Sequence, residues 1–274
     1  MIPFRHSKVD KKGNNTPVIS DREIDEWAEH LLNDYKPQLL KEPGRIRYEH
    51  FIERYLEATI EYHDIFNDDQ EKPIWGATAF NEEYLKVFDR EHERVGCVKV
   101  SPRTIILDNY VTEPGKEGLA LFTALHEAGH LWMHEEVFCG SHVDQLCFFE
   151  PQISPVVCCR SNFIENFGGT HRTKRTPHEW REHQADYFAS AIAMPNKTFI
   201  PLAKQLLRER YPKTDRIVLG ADIEADGFAE ETLPKMLTSV LGVSKKAAYV
   251  KLKKSRLVVE RKQHEAEMAQ GVLF

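Results

Sequence analysis

The stretch ALHEAGHLWMH, residues 124–134, constrains this chain more than any other. It sets His126, His130 and His134 at intervals of four, and Glu127 directly after the first. On a helix, positions four apart lie one turn above the other on the same face. His126 and His130 can then aim a ring nitrogen each at one cation. Glu127 projects beside them, able to take a proton from a water held there without being a ligand. This is the H-E-x-x-H pattern, in which two neutral imidazoles hold zinc and the carboxylate is a general base. Two ligands do not hold zinc in a protein, so a fold that uses the pattern must bring a third from elsewhere in the chain.

His134 continues the spacing, but three groups in a row along one axis cannot close around a tetrahedral ion, because each residue adds about 1.5 Å of rise. It reads as a supporting or packing residue. The extended pattern, with glycine and then histidine after the second ligand, is absent, since Met133 and Glu136 stand there. The better source is EHQAD, Glu182 to Asp186, on the next apolar-faced helical stretch. Glu182 can supply the third ligand from a crossing helix. Asp186, on the same face, can accept a hydrogen bond from the far nitrogen of a ligating histidine, fixing its tautomer. Glu179 and His183 are alternative ligands.

Around these stretches the chain divides into three. Residues 1–18 are polar and read as a loose tail. Within 19–211, SDREIDEWAEHLLNDY and YEHFIERYLEATI have helical periodicity, and IEYHDIF, WGATAF, CVKV and RTIILDNYV are short and rich in β-branched and aromatic residues. Together they predict an α+β fold with a small, mainly antiparallel sheet ahead of the histidine helix. Residues 136–178 form an irregular, cysteine-containing insertion or lid with Cys139, Cys147, Cys158 and Cys159. These thiols read as buried small residues, as a redox sensor, or as a second metal site with His142. Residues 212–274, after a linker, form a small helical unit. There LPKMLTSVLGVSKKAAYVKLKKSRLV has helix-turn-helix spacing, with nine Lys or Arg and one Glu between Lys235 and Lys262. A basic piece on a chain of net charge −6 admits DNA phosphate contact. No run reaches the roughly 18 apolar residues of a membrane span, and the start has no apolar signal-peptide core. A cytoplasmic protein is expected.

FTALHEAGHLWMH followed by EWREHQADYFASAIAMP resembles the ImmA/IrrE family of zinc metallo-endopeptidases, as do WGATAFN and RTIILDN upstream. The resemblance covers most of residues 20–205, although the interval between His130 and Glu182 is longer than the family's usual spacing. It implies a zincin-like fold of gluzincin type, with N-terminal helices, the small sheet, an active-site helix and a helix-turn-helix-like appendage. It implies Zn2+ on His126, His130 and Glu182, with Glu127 as general base assisting attack by the metal-held water. It also implies a cytoplasmic protease whose partner is a helix-turn-helix (Xre-type) repressor, often in mobile elements or stress responses. On such a fold, residues 104–108 would be an edge strand pairing with extended substrate, and Tyr110, His183 or Tyr187 would steady the oxyanion. Two other readings stand beside this one. The first is a DNA-binding regulator with a structural or sensory zinc site, and the second is an interaction protein with a degenerate centre.

Overall fold

A serine and a glutamate fix where the first helix begins. Ser20 accepts from the Glu23 backbone N–H, and the Glu23 carboxylate accepts from the Ser20 backbone in return, so α1 (Asp21–Tyr35) starts with two of its free donors satisfied. Ile24, Ala28, Leu31 and Leu32 form its buried stripe. The computed structural model describes residues 1–6, 8–10, 15–67, 73–139, 156–160 (as backbone) and 176–269. Ahead of α1, β1 (Val9–Asp10) and β2 (Thr16–Pro17) pair antiparallel. After it, α2 (Tyr48–His50) runs on as a π turn over Phe51–Tyr55. Thr59 and Ile60, expected to end that helix, instead open a strand.

The molecule is α+β, with helices around small sheets. The largest sheet contains β3 (Thr59–His63), β4 (Ile74–Ala79), β7 (Thr104–Asp108) and β8 (Val156–Arg160), in the order β3-β7-β4-β8. The first pair is parallel and the others antiparallel. Strand β7 therefore has both edges paired. The expectation that residues 104–108 offer a free edge to a peptide is overturned, because β3 and β4 already take their N–H and C=O groups. A separate hairpin, β5 (Glu83–Asp89) and β6 (Arg94–Val100), lays Leu85 and Val100 on Ala77, Ala79 and Ile106 of this sheet. The strand over 83–89 has no counterpart in the sequence reading.

Helix α3 (Glu117–Met133) carries the histidines and is buried from Ala120 to Met133. It ends at His134, and α4 (Glu135–Cys139) follows as a separate turn. Helix α5 (Pro177–Ala193) is started by a second capping box, Thr176 with Glu179, and has proline in its first turn. It leads into α6 (Asn196–Arg210). Residues 212–274 then hold β9 (Ile217–Leu219), α7 (Ile223–Gly227), α8 (Leu233–Leu241), α9 (Lys245–Lys254), β10 (Val258–Glu260) and α10 (Arg261–Ala269). The segment read as a linker contributes β9, which pairs parallel with β10 and buries Ile217 and Leu219 in the main core.

The start of the chain is packed too. Phe4 packs at a tilt against Trp132, whose indole N–H donates to the Ile2 carbonyl. Thr16 and Pro17 are buried.

Candidate metal centre

Two helices must approach closely for a carboxylate on one to meet imidazoles on the other. Gly129, inside the H-E-x-x-H turn, permits this. A Cβ at that position would lie 3.1 Å from Phe188 Cδ1 and 3.2 Å from Ala185 Cα, both on α5. The crossing brings His126, His130 and Glu182 together as a buried group whose ligand atoms all lie within 4.8 Å of one another.

The two imidazoles face each other through their Nε2 atoms at 3.0 Å. Glu182 closes the triangle, with Oε2 3.4 Å from His126 Nε2 and Oε1 3.3 Å from His130 Nε2. Burial would raise the Glu182 carboxyl, but the facing imidazoles hold it well below the usual carboxylate range. Burial also pushes His130 down, toward the neutral form that can offer a lone pair. Behind His126, Nδ1 lies 2.8 Å from Asp186 Oδ1. Asp186 can only accept there as a carboxylate, which puts the His126 proton on Nδ1 and the lone pair on Nε2, toward Glu182. Burial raises the Asp186 carboxyl and the His126 bond opposes that rise. Electron-rich atoms of three side chains thus converge in a space closed to water. Such an arrangement is costly without a cation and favourable with one. The group can hold a metal ion.

Glu127 sits next to this triangle, fully buried. Its Oε2 accepts from Thr78 Oγ1 at 2.6 Å, across from β4. The strand approaches this closely because residue 76 is glycine. A Cβ there would lie 2.8 Å from Thr123 Cγ2 and 3.0 Å from Glu127 Cγ. Thr78 and Gly76 belong to WGATAF, a stretch whose sequence marks a strand and a family resemblance but gives neither residue a role at the site. The signal was an unbroken run of small residues, Gly76, Ala77, Thr78 and Ala79, on a strand buried along its whole length.

Other candidate residues lie elsewhere. His183 Nε2 pairs with Asp21 at 2.7 Å, and Glu179 caps its own helix. Tyr187 donates to Asp25, and Tyr110 is exposed beneath the Lys116 ammonium. None of these four joins the triangle. Cys139 is a free thiol at the surface, as is Cys97. The exposure of Cys139 overturns its reading as a buried small residue, while Cys147, His142 and the side chains of Cys158 and Cys159 lie outside the described residues. The C-terminal unit joins α8 and α9 through a left-handed Gly242 and the capping Ser244. Its basic side chains are partly neutralised, with Lys245 on Glu231 and Lys253 on Glu260, while Lys251 faces inward toward Asp25. Among the described residues, no helix is long and apolar enough to cross a membrane.

No family model and no curated protein matches this chain. Among solved structures it is similar to a Mycobacterium tuberculosis transcriptional regulator, at 12% identity and a TM-score of 0.39. The match spans 84% of this chain and 46% of the other, less than half of that protein's length. A likeness so distant assigns neither fold family nor function.

Proposed function

We propose that this chain is a zinc endopeptidase of zincin-like fold, with His126, His130 and Glu182 as zinc ligands and Glu127 as general base. The observation that carries the reading is the separation of roles around one point. Three buried groups face a common centre, and a fourth carboxylate beside them is held by Thr78 instead of joining the triangle. A purely structural zinc site has four protein ligands and no use for such a carboxylate. Zinc, when bound, acidifies water and polarises the carbonyl to be attacked. Glu127 takes the proton of the attacking water and later returns it to the leaving amine. Thr78 orients the Glu127 carboxylate through Oε2, and Asp186 holds His126 in the ligating tautomer.

The substrate in this reading is a specific regulatory protein, a helix-turn-helix repressor, cut in the cytoplasm. It presents an extended segment to the β4 edge, where main-chain bonding asks little of sequence. Strand β8 lies on that edge, with Val157 opposite Thr78 and Cys159 opposite Gly76. Since β7 and β8 pair both edges of β4, this reading requires substrate to displace β8. The reading of the chain as a DNA-binding regulator loses part of its charge argument to the contacts of Lys245, Lys251 and Lys253.

The test is Glu127→Gln. The variant is expected to bind zinc as the wild type does and to leave a co-expressed repressor from a neighbouring gene uncut. Cleavage that persists in the variant would remove Glu127 from the reaction.

A further inference from the structure

We infer that His134, Gln184 and the Pro17 carbonyl form a directional hydrogen-bond relay that sets which nitrogen of His130 faces the metal. The inference rests on reading His130 as a ligand and adds three positioning groups to that site.

The direction follows from which group can donate. The Gln184 side-chain NH2 donates to the Pro17 carbonyl at 2.7 Å. A carbonyl only accepts, so the amide cannot be turned around without setting two oxygens against each other. Gln184 Oε1 therefore faces His134, 2.8 Å from its Nε2, and that nitrogen must carry the proton. A neutral imidazole has one N–H, so His134 Nδ1 is an acceptor. His130 Nδ1 lies 3.0 Å from it and must donate. The remaining nitrogen of His130, Nε2, is left as a lone pair aimed at the triangle. Reversing any link would place a proton on His130 Nε2, where it would block a metal.

All members of the relay are buried, so water cannot substitute for a lost link. Asp186 does the same for His126 with one carboxylate. The two ligands are thus set by different devices, one charged and local to α5, the other neutral and reaching the N-terminal β2. The third histidine of the motif, unable to ligate, acts through the second.

Two measurements test this. In the zinc-free wild type, long-range proton–nitrogen correlation spectra are expected to show His130 carrying a proton on Nδ1 and His134 protonated on Nε2 alone. His130 bare on Nδ1, or His134 protonated on Nδ1, would overturn the relay whether or not zinc binds. In zinc competition titrations, Gln184→Met, near the native volume but unable to hydrogen-bond, is expected to weaken affinity about 10- to 100-fold. Gln184→Glu keeps an acceptor for His134 Nε2 but sets a carboxylate oxygen against the Pro17 carbonyl, so it is expected to weaken affinity by less than Gln184→Met does. A packing role gives the reverse order, with methionine tolerated and the buried acid damaging, and that result would also overturn the proposal. Wild type that binds no zinc while showing the expected tautomers would count against the zinc reading alone.

Discussion

Thr78 reaches Glu127 across 49 residues of chain with one short hydrogen bond. Thr78→Val keeps the shape and removes the donor. The carboxylate then loses its fixed orientation, and the expected outcome is zinc affinity unchanged and peptide cleavage slower by about 10-fold, a fraction of the roughly 100- to 10,000-fold that a positioned base contributes. Cleavage at the wild-type rate would show that Thr78 only packs. At this scale, what the sequence revealed depended on locality. His126, Glu127 and His130 are legible because helical spacing alone puts them together. Glu182 and Asp186 are legible because they repeat that spacing on a second helix. Thr78, Gln184 and Pro17 are not, since each acts through a contact that the fold alone creates. Gln184 to Pro17 spans 167 residues, and no periodicity marks such a pair.

The crossing of α3 and α5 has little room at Gly129. Gly129→Leu would force the helices apart and draw Glu182 away from the two imidazoles. Zinc affinity is expected to fall at least 10-fold, as for loss of a supporting group, with the melting temperature also lowered. Tight zinc binding by a folded Gly129→Leu protein would mean that the two helices need not be this close. Strand β8 gives a second test between elements. Proline lacks the N–H that a strand needs, so Val157→Pro is expected to loosen β8 from β4 and speed cleavage of an extended peptide several-fold. A slower rate would make β8 part of the substrate platform. The capped helices α1 and α5 could be placed from sequence because Ser20, Glu23, Thr176 and Glu179 are local signals. The hairpin strand over 83–89 was hidden because its outward residues, among them Tyr84 and Phe88, are as apolar as its inward ones. That pattern does not mark a half-buried strand.

Across the molecule, residues read as an appendage are built into the core. A Cβ on Gly118, in the first turn of α3, would lie 2.5 Å from the Ser244 backbone nitrogen, so the turn between α8 and α9 rests on the histidine helix. On the same side Lys251 is buried, 3.8 Å from Asp25, near the Tyr187 ring and beside Lys254. Burial pushes the ammonium down to about 8 from 10.5. Between those values the unfolded chain binds more protons than the folded one, so this residue's contribution makes stability rise with pH from 8 toward 10.5. Lys251→Met removes the charge. It is expected to stabilise the protein at pH 7 by up to about 3 kcal/mol, with the gain fading as the pH approaches 10.5. Denaturant melts at pH 7 and pH 10 would read it, and a destabilised variant at pH 7 would contradict the inward charge. Composition exposed the basic character of this unit but not the acids facing it, because Asp25 lies more than 200 residues earlier.

The account depends on one metal ion held by nitrogen and oxygen with no sulfur. Zinc K-edge absorption on stoichiometrically loaded protein, beside a His126→Ala, His130→Ala double variant, tests this directly. The expected result is one zinc per chain with two imidazoles and a carboxylate in its ligand sphere, lost in the double variant. Sulfur ligands, or zinc retained without the two histidines, would place the metal on the cysteines and contradict the account.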